Sequence, residues 1–140
     1  MSETMNLRQT PETMTSHRIL WTGRVMSALV VIALAADGAI QLFAPAQIAS
    51  MLQETGFAMD LTLVVGPIIL ACAILYAVPA TAVLGAILVT GFLGGAICAH
   101  VRIGELGSPP ELISVALGAL TWGGLYARYS RIRALLPLVR

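Results

Sequence analysis

Charge is what this chain has least of. Lys plus Arg number 8 and Asp plus Glu 7 in 140 residues, 11% charged against 58% hydrophobic, with a net charge of +1. That leaves too little polar surface to wrap a water-soluble globule, so lipid is the expected solvent. From Leu61 to Ala99 no Asp, Glu, Lys, Arg or His occurs, a run of 39 residues, where one crossing needs only about 20. The run must hold two crossings. No basic face interleaved with aromatics is present, which excludes nucleic acid as a partner. Only 2 cysteines occur, Cys72 and Cys98, both inside apolar stretches. No C-x-x-C, Gly-rich phosphate loop, H-E-x-x-H, nucleophile elbow or paired-acid motif is found. No stand-alone catalytic activity and no metal site are therefore expected.

What remains is helical. Residues 1–18 are polar and aperiodic and read as a disordered tail. Residues 19–43 form a first span of 25 residues, about 37 Å at 1.5 Å per residue. It is interrupted by Arg24, Ser27, Asp37 and Gln41 and followed at once by Pro45. Residues 44–60 read as a loop holding one short interfacial helix. A second span covers 61–78, with Pro67 in its second turn. Pro79-Ala80-Thr81 then turns the chain into a third span, 82–101, which must lie antiparallel beside the second. The Pro109-Pro110 loop separates this from a short fourth span, 112–127, flanked by Trp122, Tyr126 and Tyr129 as interface anchors. The expected fold is all-α, a four-transmembrane-helix bundle. Arg8, Arg18, Arg24, Arg128, Arg131, Arg133 and Arg140 lie on the side of the termini, and only Arg102 lies opposite. Seven against one predicts that both termini are cytoplasmic. Residues 129–140, where arginines alternate with Ile132, Leu135, Leu136 and Leu138, read as a basic amphipathic tail lying along anionic lipid.

Asp37 is the residue that most needs an explanation, because a carboxylate inside a span is costly unless paired, protonated or hydrated. It falls about 9 Å below the outer end of the first span, with Gln41 one turn above it on the same face. The third span brings His100 and Arg102 to a similar level. Asp37, Gln41, His100 and Arg102 are thus the candidate polar or ligand site, with a structural interhelical lock as the plainer reading. On a helical wheel, however, His100 aligns with Leu93, Ala96 and Ile97, whereas Arg102 aligns with Gly91, Gly95 and Cys98. A haem held by two histidines fails, since His17 lies in the polar tail. Cys72 and Cys98 differ in depth by about 10 Å, beyond disulfide reach. Gly91, Gly94, Gly95 and Ala99 form a small-residue stripe expected to pack another helix of this chain, or secondarily to form a homodimer face. Ala119, Gly123 and Ala127 form a matching stripe on the fourth span.

Leu84-Gly85-Ala86, then Thr90-Gly91-Phe92-Leu93-Gly94-Gly95-Ala96, then Ala99-His100-Val101-Arg102 with Gly104, follow an order that resembles the DoxX-like bacterial membrane proteins. Asp37-Gly38 with Leu42, Gly66 with Leu70 to Cys72, the Pro79 turn, Trp122 to Tyr126 and Arg131 to Pro137 resemble the same family. The likeness runs over roughly residues 19–138. Gln41 departs from it, standing where the family pattern suggests a lysine, so Asp37 must be satisfied otherwise, with Arg102 the expected substitute. The resemblance implies a four-helix bundle in the bacterial inner membrane and no established chemistry. Relatives are linked to quinol-oxidase and thiosulfate–quinone redox complexes. The first functional reading is therefore an accessory, redox-associated membrane protein. The alternatives are a quinone-binding subunit of a membrane oxidoreductase and a small-solute permease.

Overall fold

The computed structural model describes residues 10–135, with side chains from residue 17 to residue 134, and the described residues are helical with short turns. Six helices follow one another: α1 (Thr10–Phe43), α2 (Ala49–Glu54), α3 (Thr62–Ala77), α4 (Ala82–Arg102), α5 (Pro109–Arg128) and α6 (Ser130–Leu135), with 3₁₀ turns at Pro45–Ile48 and Met59–Leu61 flanking α2. Among the described residues, three stretches are long and apolar enough to cross a membrane, His17–Phe43, Met59–Ala77 and Ala82–Arg102. The start of α1 corrects the expected tail. Residues 10–18 are helical, and Thr10-Pro11 is a helix-start pattern, since proline is tolerated in the first turn. The first nine residues and the last five, with part of each expected tail, lie outside the described residues.

The long helices close a ring in which α1 packs on α3 and α5, and α4 packs on the same two, so that α1 and α4 sit diagonally. Small residues let the backbones meet. A Cβ on Gly38 would lie 3.2 Å from the Gly66 carbonyl oxygen, and one on Gly23 would lie 2.9 Å from that of Gly124. These pairs fix where α1 crosses α3 near one end of the bundle and α5 near the other. The tightest approach is at the α3–α4 turn, where a Cβ on Gly85 would stand 2.3 Å from the Tyr76 nitrogen.

Tyr76 itself is fully buried, and its hydroxyl binds three elements together. It donates to the Thr121 carbonyl at 2.9 Å on α5 and lies 3.1 Å from the Ser27 hydroxyl on α1. Around it pack Val30, Leu34, Ile69, Ala86, Val89 and Leu125. Between α4 and α5, Trp122 donates its indole N–H to Thr90 Oγ1 at 2.9 Å. The outward faces are as apolar as this core: Ile32, Leu63 and Ile74 are 64, 67 and 62% exposed. A helix apolar all round requires either a protein interior or lipid around it.

The glycine stripes fall differently from expectation. No described atom lies within 4 Å of the Cβ position of Gly91, Gly94 or Gly95, so helix packing within the described chain does not use them. On α5, a Cβ at Gly123 would meet Met26 of α1, and Ala127 meets Gly23 of α1. That stripe therefore serves the crossing with α1 rather than with α4. The contact of α4 with α5 runs instead through Leu93 beside Gly118 and through the Trp122–Thr90 bond.

Two expectations follow. Gly85→Ala should lower the thermal midpoint in detergent by the equivalent of about 1–3 kcal/mol of overpacking, while Gly94→Ala leaves it unchanged. Tyr76→Phe should cost about 1 kcal/mol through its lost hydrogen bonds without altering helix content by circular dichroism.

Candidate functional site

A cavity of about 340 Å³ opens between the C-terminal half of α1, the start of α3, the C-terminal half of α4 and the segment from Ile48 to Leu61. Its wall is largely hydrophobic, with Met51, Leu52, Phe57, Val65 and Phe92 among the residues that line it. Gly91 and Gly95 supply bare backbone to one side of it. The stripe that leaves these two positions without a packing partner thus gives the cavity room.

The connecting segment is shaped by a glycine at each of two helix ends. Gly56 follows α2 at φ +71°, where its N–H reaches Gln53 O at 3.1 Å and the Phe57 N–H reaches Leu52 O at 2.8 Å. This closes the helix with a left-handed residue that a side chain would strain. Gly104 does the same after α4 at φ +84°, with the Glu105 N–H on His100 O at 3.1 Å. That turn folds Glu105 back over the helix end. Its carboxylate accepts from His100 Nδ1 at 2.7 Å. An ionised carboxylate can only accept, so the contact places a proton on Nδ1, and in the neutral tautomer Nε2 is left as an acceptor.

Asp37, Gln41 and His100 all line this cavity, the first two from α1 and the third from the diagonal helix α4. Gln41 donates from Nε2 to Asp37 Oδ1 at 3.3 Å, and both Gln41 and His100 are buried. Arg102 does not join them. Two residues beyond His100 it points about 200° around the helix, where its guanidinium donates to the Thr55 carbonyl and lies 5.9 Å from the centroid of the Phe57 ring. The expected pairing of Arg102 with Asp37 is therefore corrected. The carbonyl at the C-terminal end of α2 is a ready acceptor for a cation, and Gln41 is the partner that Asp37 has.

Of the other polar side chains in the wall, Thr55 and Thr62 spend their hydroxyl hydrogens on the carbonyls of Met51 and Met59, at 2.7 and 2.8 Å. Their hydroxyl oxygens can still accept, but neither has a hydrogen to give; the Asp37 carboxylate, the Gln41 amide and His100 Nε2 are the stronger groups left for a guest. Cys72 is buried, Cys98 is exposed, and both are free thiols. Glu105 is not among the site residues expected from the sequence, where it reads only as a loop carboxylate. The signal for it was the spacing His-x-x-x-Gly-Glu, which places a carboxylate one residue past a helix-ending glycine.

Described residues that are helical with short turns, three membrane-capable helices among them and a polar-tipped cavity define the class, consistent with an integral membrane protein. The DoxX-like family model matches residues 25–124, and the chain belongs to that family. The matched stretch takes in Asp37, Gln41, Tyr76, His100, Arg102 and Glu105. No curated protein and no solved structure matches it.

The Glu105 contact has a spectroscopic consequence. In protein labelled with ¹⁵N-histidine, His100 should show its proton on Nδ1, and Glu105→Ala should convert this to a mixture of tautomers while Asp37→Asn leaves it in place.

Proposed function

We propose that this chain is an accessory membrane protein that crosses a bacterial inner membrane four times, through α1, α3, α4 and α5, and holds a small lipophilic molecule of the quinone class in its cavity. The observation that carries this reading is an apolar chamber of about 340 Å³ with unspent polar groups on two diagonal helices. Ligand pockets run about 300–1,000 Å³ and combine apolar walls with a few orienting polar groups. A quinone head group is an apolar ring with oxygens at opposite edges, and the wall suits both of its redox forms. The Gln41 amide can donate to a carbonyl oxygen, and the Asp37 carboxylate and His100 Nε2 can accept from hydroxyls. The bound molecule would supply the electron chemistry, and the chain's residues bind and orient it. An oxidoreductase subunit in the same membrane is the partner this role requires.

The fourth crossing is supported by α5, whose 20 residues extend about 30 Å and pack against both α1 and α4. Cytoplasmic termini are supported by the placement of Arg18, Arg24, Arg128, Arg131 and Arg133 at one end of the bundle, with Arg102 alone at the other.

The test is recovery of quinone from protein reconstituted in nanodiscs with a short-chain ubiquinone, by extraction and mass spectrometry. Wild type should retain it. The Asp37→Asn, His100→Ala double variant should lose it, and so should Gly95→Leu, which fills the cavity from a position whose Cβ meets nothing. The Gly95→Leu protein should unfold no earlier than wild type, which separates loss of the site from loss of the fold. Retention by Gly95→Leu equal to wild type, or no retention by wild type, would overturn the reading.

A further inference from the structure

At the other end of the bundle a second groove, of about 330 Å³, lies between α1, the end of α3 and the end of α5, lined by Arg24, Ser27, Ala28, Val31, Ile32, Ala77 and Arg128. We infer that it is a binding site for one anionic phospholipid, with the phosphate held between Arg24 and Arg128 and an acyl chain lying along α1. The inference rests on the membrane reading but not on the quinone reading.

Three observations carry it. First, two guanidinium groups from different helices share one groove, and among the described residues neither is in a salt bridge with a carboxylate. Arg128 has only a neutral contact, with Nη2 3.4 Å from Tyr129 Oη and Cζ 5.3 Å from the ring centroid. The groove thus carries two positive charges with no paired anion among the described residues, and a phosphate that accepts from both guanidinium groups would neutralise them.

Second, the placement of Arg128 is built. A Cβ on Gly23 would lie 2.9 Å from Arg128 Cγ, so the absence of a side chain at Gly23 is what lets the arginine stem lie against α1, in the groove that Arg24 also lines. The third observation is the shape of the lining. Ala28, Val31 and Ile32 stand four, seven and eight residues beyond Arg24, which is one face of a helix. The groove therefore begins at a cationic end and runs apolar for about 12 Å toward the middle of α1. A free anion has no use for that apolar stretch, whereas a phospholipid fits both parts. Generic attraction of basic residues to an acidic leaflet would not single out these two arginines.

Native mass spectrometry of the detergent-purified full chain tests the site, with phosphatidylglycerol and phosphatidylcholine of identical acyl chains as probes. Wild type should retain one phosphatidylglycerol in preference to phosphatidylcholine. Arg24→Gln and Arg128→Gln should each weaken retention about fivefold, the factor that corresponds to ~1 kcal/mol per arginine. Arg131→Gln with Arg133→Gln on α6 should change it less than twofold. Ile32→Trp, which blocks the apolar stretch and keeps both arginines, should abolish lipid retention. Inorganic phosphate should fail to displace the lipid. Equal retention of the two lipids, an equal loss in the α6 control, or displacement by phosphate that Ile32→Trp does not affect would overturn the proposal, the last by showing a site for free anions. All variants should keep the wild-type thermal midpoint. Quinone retention measured in parallel should not move, so failure here is distinguishable from failure at the cavity.

Discussion

The arrangement of this protein depends on one phenolic hydroxyl. Tyr76 is wholly out of contact with solvent, and its oxygen meets α5 at the Thr121 carbonyl and α1 at the Ser27 hydroxyl, while its own backbone is pressed by Gly85 of α4. In a lipid surround the outer surface of a helix gains nothing from burying apolar area against another helix, because lipid is equally apolar. Close packing and hydrogen bonds between helices are then what distinguish the correct arrangement from a misaligned one. Tyr76 supplies both where α3 meets α1, α4 and α5. Gly124 belongs to the same design, since a Cβ there would lie 2.7 Å from Ser27 Oγ and 3.2 Å from the Tyr76 hydroxyl.

With one end secured in this way, the opposite end is free to be open. There α1 and α4 stand diagonally apart, and the space between them is walled by the connection through α2 rather than by another long helix. That connection is held by Arg102 on the Thr55 carbonyl and by left-handed glycines at two helix ends. Asp37, Gln41 and His100 then face a largely apolar space in which few competing donors exist. His100 is oriented by Glu105 in the way that carboxylates orient imidazoles elsewhere, by fixing which nitrogen carries the proton.

Much of this could be read from the residues. The helices were legible because long apolar runs and the Pro45, Pro79 and Pro109-Pro110 breaks mark them, and α3, α4 and α5 begin and end within about three residues of where those breaks place them. The shared neighbourhood of Asp37, Gln41 and His100 followed from depth along each helix, which the rise per residue gives directly. Azimuth was harder. Depth alone puts Arg102 with the cluster, because a buried carboxylate invites the nearest cation, although the wheel places it on another face. The glycine stripe of α4 misled for a related reason: small residues permit close approach by a helix, but they equally permit empty space, and only the positions of the neighbours distinguish the two. Tyr76 left no trace in the sequence, since a single tyrosine in an apolar run shows its polar partners only once α1 and α5 are in place.

The tight α3–α4 turn bears on how the protein enters its membrane. On the four-crossing reading, the 39 residues from Leu61 to Ala99 carry no charged or titratable histidine side chain, so nothing in this stretch instructs the insertion machinery which way to face. Gly85 jammed against Tyr76 makes the pair a preformed hairpin that can partition into lipid as one body. Its orientation is then inherited from the arginines flanking α1 and α5, which makes the two outer segments of the chain the carriers of topology and the hydrophobic middle their passenger.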